Sequence, residues 1–574
     1  MKLAPIFFAM LPALTVFATQ AEVYQVVELG PVDGYKSSFS AAINNSNQSV
    51  GTLTGQFNFP VDLAYVDFAS TVITSALSAA EIEEVKKGNV NAKALSVLLN
   101  YLQLSASNFQ VQRYSDAFAS RLDNKQLLKL RETAPVQTNY EYLSDINDLG
   151  QLAGYAGAPF SVQSFTPAAT EATPNPVAQR LWVPQAGYLL GAVVTNGVIE
   201  TLPPLYTNYG GGFSVARALN NNGKVVGYGS VAMTDATIAS INATCLGKTE
   251  PVALCYHGIV SSQLTQAYSR NGLVWQLDNN GKPAAPAQLG YLGDKNTGLP
   301  HTNANYPAVQ YDAIPNDLND AGLVVGSSIY TDSSDIRFSP FTFRDEVYTV
   351  TQATLFAGSE VKPLLDAKEW EYSTAVDINN KNIIVGAAQQ KWYTFAQSRT
   401  AQKLFVYDYN TQKATFPNAL FSTANTIPEA INDNNLVVGT TEAFTDQSSA
   451  RRNVAFLYDI GADKFTNLNT MLKCNAGYTL VSAMDINDKN VILATAVKAV
   501  DKRDAKGEVV KDSAGNVLRE EVAVAVQLNP VAGGVIDNCN PSEDAGYERK
   551  GGSMGMAALF LLALAGLQRR RRQL

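Results

Sequence analysis

Residues 430–440 read AINDNNLVVGT: an aliphatic start, a polar turn and an apolar run that ends at Gly439. Six more copies occur: INNSNQSVG from Ile43, INDLGQLAG from Ile146, LNNNGKVVG from Leu219, LNDAGLVVG from Leu318, INNKNIIVG from Ile378 and INDKNVILA from Ile486. The second residue of each copy, the marker asparagine, is Asn44, Asn147, Asn220, Asn319, Asn379, Asn432 or Asn487. Recurrence of one phrase predicts recurrence of one structural unit.

Each position of the phrase has a backbone reason. Asparagine followed by Asn or Asp favours a turn, because these side chains bond to nearby backbone groups. The fifth residue is always Gly or Asn, the two residue types that best tolerate a positive φ. The final glycine, replaced only by Ala494, predicts a close approach of neighbouring backbone. The phrase therefore predicts a β-hairpin turn that enters a buried strand.

A second pattern accompanies the phrase. Aromatic-rich segments beginning at Leu273, Phe341, Leu404 and Ala455 each predict a strand, a polar turn and a returning strand. The sequence between these hairpins and the asparagine phrase is long enough for one more strand, so each unit is expected to contain about four strands. Four-stranded units that recur every 40 to 60 residues or so are typical of propeller blades. We therefore expect an all-β fold, a seven-bladed β-propeller over residues 22–540.

One insertion interrupts the first unit. Ser78 and Glu81 have the spacing of a capping box, and the apolar residues that follow have helical spacing. These residues are Ala94, Val97, Leu98, Tyr101 and Leu102. We expect a small helical insertion over about residues 78–132, which either covers an exposed flank of the sheets or serves as a docking surface.

The N-terminus has the regions of a secretory signal peptide over residues 1–21: a lysine, an apolar stretch and a small-residue site. Cleavage after Ala21 by signal peptidase, following export through Sec-type machinery, is the favoured interpretation, and a retained anchor is the alternative. The net charge of −8 and the pI near 5.1 argue against a general affinity for nucleic acid.

The C-terminus combines three features in a fixed order. A linker over residues 541–553 ends in Gly551, Gly552 and Ser553, and residues 554–574 form an apolar segment followed by four arginines. The apolar segment predicts a short transmembrane helix whose arginines remain on the cytoplasmic side. It is either a sorting signal that is removed or a permanent membrane anchor.

Four cysteines in an exported chain suggest disulfides. Local closure favours Cys245 with Cys255, which leaves Cys474 to pair with Cys539. Metal binding is the rival interpretation, but the chain has no C-x-x-C spacing, and His257 is the only histidine near a cysteine.

Two resemblances follow from these motifs. The aromatic strand followed by the asparagine phrase resembles the extracellular HAF repeat, although its His-Ala-Phe signature is present here only as Val454-Ala455-Phe456. The C-terminal segment resembles the GlyGly-CTERM sorting signal. With both features, the chain resembles a family of secreted Gram-negative proteins of unknown function. The resemblance implies cleavage near the glycines by a rhombosortase-type membrane protease and release toward the cell surface or the medium.

Site chemistry is sparse in the sequence, and we assign no catalytic residue and no cofactor. Asp145, Asp317, Asp377 and Asp485 begin D-x-N-[DN]-x-[GN], as a calcium loop does, but the closing glutamate is missing, so a turn-acceptor role is favoured over calcium. The four tryptophans could stack on sugars, but core packing is the favoured role. They are Trp182, Trp275, Trp370 and Trp392.

Two functions stay open. The first is a non-enzymatic protein that binds a macromolecule or glycan, or a protein ligand, through loops on one face. The second is a carboxylate-based hydrolase or lyase that acts on polysaccharide or peptide in a central funnel. Carboxylates at the centre would favour the enzyme, and an aromatic rim without them would favour binding.

Overall fold

Strands dominate the structure, a computed structural model that describes residues 22–134, 136–169, 171, 173–246, 250–262, 264–339, 342–390, 401–445 and 448–537. Strands account for 45% and helices for 11%, and no closed barrel is found among the described sheets. The all-β expectation is confirmed.

Each copy of the phrase joins the first two strands of a four-stranded antiparallel unit. The strand that precedes them is β1 (Tyr24–Glu28). Unit one contains β2 (Tyr35–Ile43), β3 (Ser49–Gln56), β4 (Phe118–Arg121) and β5 (Gln126–Leu127). The next strands are β6 (Glu141–Ile146), β7 (Leu152–Gly157), β8 (Phe160–Phe165), β9 (Gln179–Pro184), β10 (Leu189–Thr195) and β11 (Val198–Leu202). Unit two contains β6, β7, β10 and β11, and β8 and β9 form a separate hairpin.

Units three to five follow the same order. Unit three contains β12 (Ser214–Leu219), β13 (Lys224–Met233), β14 (Tyr268–Gln276) and β15 (Ala287–Gln288). After the short β16 (Gly293–Asp294), unit four contains β17 (Ala313–Leu318), β18 (Val324–Ser339), β19 (Arg344–Ala357) and β20 (Glu360–Pro363). Unit five contains β21 (Tyr372–Ile378), β22 (Ile383–Gln389), β23 (Lys403–Asp408) and β24 (Lys413–Thr415). A parallel pairing of Thr351 in β19 with Tyr372 in β21 joins units four and five, with β16, into one nine-stranded sheet.

The two ends of the described chain meet in unit seven. Unit six contains β25 (Thr426–Ile431), β26 (Leu436–Thr445), β27 (Ser448–Asp459) and β28 (Lys464–Asn467). Unit seven contains β29 (Thr479–Ile486), β30 (Ile492–Asp501) and β31 (Arg519–Pro530). Its fourth strand is β1, which pairs antiparallel with β31 from Tyr24 opposite Pro530 to Glu28 opposite Val526. The start of the described chain thus completes its last unit.

The helices lie in connections between second and third strands. The connection from β3 to β4 contains α1 (Thr71–Thr74), α2 (Ala79–Lys86) and α3 (Ala92–Leu104), and that from β13 to β14 contains α4 (Asp235–Thr244), α5 (Val252–Ser262) and α6 (Leu264–Ala267). Two short 3₁₀ helices span Leu63–Tyr65 and Leu468–Met471. The capping box of Ser78 with Glu81 is present, and Leu98, Tyr101 and Leu102 are buried as their spacing predicted.

The turn geometry matches the phrase. The fifth residue has a positive φ in all seven copies: Asn47, Gly150, Gly223, Gly322, Asn382, Asn435 and Asn490. The predicted close approach is also found, because a Cβ at Gly439 would overlap the carbonyl oxygen of Ile427 on the first strand. Unit seven accepts Ala494 at this place, and there β29 and β30 have an additional irregularity between Leu480 and Ser482.

Strand direction defines two ends for every unit. The marker asparagine follows the first strand, so we call this end the Asn face. The connection from the second to the third strand, where the helices and the β8–β9 hairpin are inserted, leaves from the opposite end, the loop face. The hairpins predicted from Leu273, Leu404 and Ala455 are confirmed as β14–β15, β23–β24 and β27–β28.

The hairpin predicted from Phe341 is wrong. The expected turn near Asp345 lies inside β19, whose residues pair with β18 along almost the whole strand. Long antiparallel pairing thus overrides the local turn preference of Asp-Glu. Among the described residues, no helix is both long and apolar enough to cross a bilayer. The predicted signal peptide and C-terminal segment, with Ala21, Gly551, Gly552 and Ser553, lie outside the described residues.

Replacing Gly322 tests the positive-φ requirement. Gly322 has φ +81°, a conformation that β-branched residues resist, so Gly322→Val should lower the free energy of unfolding by about 1 to 3 kcal/mol. Gly322→Asn is the matched control and should cost much less, because four other copies place Asn there. Urea denaturation of both variants measures this, and equal losses would contradict the interpretation.

Candidate functional site

The marker asparagines form a closed ring. The side-chain Nδ2 of each donates a hydrogen bond to the backbone oxygen of the next marker. The donor–acceptor distances, in chain order from Asn44, are 2.9, 3.0, 3.1, 3.3, 2.9, 2.9 and 2.9 Å, and the last bond returns from Asn487 to Asn44. The structure therefore brings together all seven turn residues that the sequence singled out.

The rest of each marker amide holds its own turn. In unit six, Oδ1 of Asn432 accepts from the N–H groups of Asn434 and Leu436, both at 3.0 Å. The marker side chains are buried and bonded on both sides, as buried amides require. Their role is structural, and they are not available for chemistry.

A second ring runs outside the first. The backbone N–H of the residue after each marker donates to a side-chain oxygen of the equivalent residue in the next unit, at 2.8 to 3.0 Å. In order, these residues are Asn45, Asp148, Asn221, Asp320, Asn380, Asp433 and Asp488. They form the rim of the Asn face.

A cavity of about 190 Å³ is lined by the residues of both rings and, beneath them, by the carboxyl groups of Asp145, Asp317, Asp377 and Asp485. Each carboxylate accepts the backbone N–H that precedes the marker of the next unit. Asp485 accepts from Ile43 at 2.7 Å, and Asp377 accepts from Ile431 at 2.6 Å. These carboxyl groups therefore connect neighbouring units. The sequence predicted that they accept hydrogen bonds within a turn, and in the structure each accepts one from another unit.

Burial favours the protonated form of Asp145, Asp317 and Asp485. It raises the pKa of Asp145 to about 7 and that of Asp485 to about 8. Burial and the adjacent Asp377 raise the pKa of Asp317 well above its usual value. Within the described residues, no group of three or more His, Cys, Asp or Glu side chains is placed to hold a metal ion.

A layer that the sequence did not reveal lies just below, toward the loop face. In every unit the pairing of the first two strands shifts register three residues before the marker, which is a β-bulge. The bulged residues, which we call the bulge layer, are Ala41, Ser144, Arg217, Asn316, Val376, Glu429 and Met484. All are at least partly exposed, although they belong to innermost strands. Their chemical diversity contrasts with the uniform rings above.

Two members of this layer carry charge. Nη2 of Arg217 donates to Oδ1 of Asn316 at 3.2 Å. Burial raises the pKa of Glu429 to about 7, and the field of Arg217 opposes that rise. Because these residues belong to units three and six, their interaction crosses the centre of the ring.

Tyrosines of units two and three lie near Arg217. Tyr142 and Tyr155 face each other across β6 and β7, with ring centroids 5.3 Å apart, and Tyr140 is 5.9 Å from Tyr142. Tyr155 also interacts with Arg217 and Tyr228. The four tyrosine side chains are partly exposed, and we call them the tyrosine rim.

The insertions of the first three units converge beside this rim. His257 of α5 lies 6.3 Å from Phe109, 5.3 Å from Phe160 and 5.1 Å from Tyr188, measured between ring centroids. Burial and the nearby Arg113 lower the pKa of His257 to about 4, so its imidazole is neutral at neutral pH. The helical insertion of unit one is thus packed into a shared cap.

The cap contains the confirmed disulfide between Cys245 and Cys255, whose Cα atoms are 5.6 Å apart. These cysteines line a pocket of about 470 Å³ together with residues of the other two insertions, among them Phe109 and Leu181. The second expected bridge stays a prediction, because Cys539 lies outside the described residues. The backbone N–H of Cys474 donates to Asp537 at 3.1 Å, which brings the segment leading to Cys539 close to Cys474.

The tryptophans are packing residues where they are described. Trp275 is fully buried, Trp370 stacks on Phe416 at 4.1 Å, and Trp182 contacts Tyr65 in the cap. Trp392 lies outside the described residues. The aromatic rim is therefore made of tyrosines, which the sequence analysis had not distinguished from core residues.

The chain belongs to a family described as protein of unknown function, DUF3466, which matches residues 2–571. No curated protein matches it. This membership accounts for the whole chain and assigns no activity.

Solved structures give only a loose likeness. One is a polysaccharide lyase of a new family, PL25, an ulvan lyase bound to -[GlcA(1-4)Rha3S]-; it is 8% identical, with a TM-score of 0.36 over 89% of this chain and 98% of that one. Another is a puromycin-hydrolysing peptidase of Mycobacterium tuberculosis, 11% identical, with a TM-score of 0.30 over 67% of this chain and 47% of that one.

The cavity carboxyls predict a pH-dependent stability. A carboxyl whose folded pKa exceeds its unfolded value of about 4 stabilises the fold fully below that value and loses this contribution as pH rises through the folded pKa. For Asp145 and Asp485 the loss falls between about pH 4 and pH 8. The Asp485→Asn variant keeps an acceptor oxygen without the charge, so at pH 8 it should be more stable than the parent by about 1 kcal/mol or more.

Urea denaturation at pH 5 and pH 8 measures the effect. Asp485→Ala serves as the control, because it removes charge and acceptor together and copies the residue that units one, three and six have there. If the parent and Asp485→Asn lose stability equally between the two pH values, the assignment of a buried, protonated Asp485 is wrong.

Proposed function

We propose that this protein is an exported seven-bladed β-propeller that binds a glycan, or another macromolecule, through its loop face. Seven four-stranded units, the closed asparagine ring and the pairing of β1 with β31 support the propeller architecture. Propeller binding sites are built from connections on one face. Here the long connections of units one to three converge on the loop face.

The tyrosine rim is the observation on which the binding proposal rests. Tyr142 and Tyr155 have partly exposed rings and lie near Arg217, and flat aromatic faces with a polar end suit sugar rings. The cavity carboxylates on the Asn face accept backbone N–H groups, so they support the fold and not a reaction. Carboxylates and an aromatic rim are both present, on different levels of the ring.

The proposed address follows from the two ends of the sequence. Cleavage after Ala21 would leave two residues before β1 begins at Tyr24, so the new N-terminus could close unit seven without a trailing segment. We infer that the precursor is held in the inner membrane by residues 554–574 as a GlyGly-CTERM signal and is then released to the cell surface. The repeats resemble the HAF repeat because an aromatic strand accompanies the asparagine phrase in several units.

An enzyme is the second candidate. Glu429 is the observation that favours it, because this carboxyl has a pKa of about 7, and no donor in the described part of the chain hydrogen-bonds to it. A carboxyl group poised near neutral pH is suited to general acid or base catalysis in a hydrolase or lyase.

A polysaccharide panel tests binding. Calorimetry on the purified mature chain should give measurable affinity for at least one glycan, and the double variant Tyr142→Ala with Tyr155→Ala should reduce it about tenfold or more. Tyr409→Ala, a partly buried tyrosine after β23 on the Asn face, should leave affinity unchanged. Release of reducing ends or unsaturated products in the same assay would favour the enzyme, and failure to bind any glycan or protein would reject the binding proposal.

Mass spectrometry of the native protein tests the address. A C-terminus near Gly551 or Gly552 is expected, and replacing both glycines with leucine should keep the chain in the inner membrane, because the protease site is lost while the helix and Arg569–Arg572 remain. A single Gly555→Leu change is the matched control and should be processed normally. Surface-exposed protein that still ends at Leu574 would contradict the sorting proposal.

A further inference from the structure

Arg217 is a positively charged group whose charge is not balanced by an ion pair. Its guanidinium donates to Asn316, which is itself held because its Nδ2 donates to the Ala375 carbonyl oxygen at 2.7 Å. Within the described part of the chain, Arg217 forms no salt bridge, unlike Arg270, which pairs with Asp312 at 2.7 Å. The bond to Asn316 occupies one of the five N–H donors of the Arg217 guanidinium, so the other four remain available.

Glu429 does not neutralise this cation at short range. Its carboxyl interacts with Arg217 across the ring without forming an ion pair, and burial keeps a large share of it protonated at neutral pH. A protonated carboxyl donates a hydrogen bond. The bulge layer therefore contains one arginine and one carboxyl group that form no ion pair with each other.

The surrounding groups are neutral donors. Burial raises the pKa of Tyr155, of Tyr142 and, more strongly, of Tyr140, so their hydroxyls stay protonated at neutral pH. The hydroxyls of Tyr142 and Tyr155 can donate to an anion beside the guanidinium, whereas the hydroxyl of Tyr140 is hydrogen-bonded to Tyr188. The chain as a whole has a net charge of −8, so attraction of an anion to this place is local and not a general property of the surface.

We propose that Arg217, oriented by Asn316 and close to Tyr155 of the tyrosine rim, is an anion subsite that recognises a carboxylate or sulfate group on a polysaccharide. The inference rests on the proposed function, the binding of a glycan at the loop face, and names the chemical class of that glycan. An arginine fork fits the two oxygens of a carboxylate and also fits sulfate.

The experiment compares three polymers on the full mature chain by calorimetry: a neutral glucan, a uronate-containing polysaccharide and a sulfated polysaccharide. The chain should bind at least one acidic polymer, more weakly at high salt, and should bind the neutral glucan at least tenfold more weakly. Arg217→Gln should reduce acidic-polymer affinity at least tenfold, and Arg217→Lys should fall between the two. Arg452→Gln, an exposed arginine on β27, is the matched control and should bind as the parent does.

The outcomes separate the two proposals. Equal affinity for neutral and acidic polymers, or unchanged acidic-polymer binding in Arg217→Gln with parental thermal stability, overturns the anion subsite and leaves glycan binding intact. Binding of an acidic peptide but of no polysaccharide overturns it as well. Absence of binding to all three polymers rejects the subsite, and the proposed function is then decided by the wider panel of glycans and proteins. Preference for the uronate over the sulfated polymer, or the reverse, identifies which anion the subsite takes.

Discussion

The hydrogen bond from one marker amide to the next marker carbonyl is the interaction on which the structure depends. A buried primary amide must satisfy two N–H donors and an oxygen, and one of these donors finds its acceptor on the neighbouring copy of the same turn. Each unit therefore needs the next one, and the bond from Asn487 to Asn44 makes the requirement circular. A unit removed from the ring would leave one buried donor and one buried acceptor unpaired, which is costly for both neighbours.

Because the number of units is odd, the polar residues around the ring cannot alternate perfectly between Asn and Asp. At the outer rim, Asn and Asp alternate so that each Asn amide donates to a neighbouring carboxylate, but seven positions cannot alternate completely. Asp433 and Asp488 are therefore neighbours, connected by the Asp433 N–H at 2.8 Å. The cavity below repeats the pattern with Asp and Ala, where Asp317 and Asp377 are the adjacent pair. Carboxyl groups are accommodated at the centre because backbone N–H groups of the next unit bind their oxygens and because burial favours the protonated form of Asp145 and Asp485.

The repeat could be predicted from local residue preferences. The candidate site could not, because it depends on how strands pair. Positive φ at Asn435 or Gly322 is a property of the turn itself, so the residue type revealed it, and the final glycines revealed the close approach. The bulge that exposes Arg217 and Glu429 is a property of two paired strands, and nothing in VARAL or PEAI marks it. The convergence of Phe109, Phe160 and His257 joins three insertions that are distant in sequence. The turn predicted near Asp345 was wrong for the same reason, because pairing with β18 determines the length of β19.

If the asparagine ring joins the units into one cooperative body, their turns should not open one at a time. Native-state hydrogen exchange followed by mass spectrometry measures this directly on peptides that contain each of the seven phrases. The account predicts that the N–H groups at the markers exchange with one common free energy, equal to that of global unfolding. Turns that exchange with clearly different free energies, unit by unit, would show that the ring does not couple them and would contradict the account.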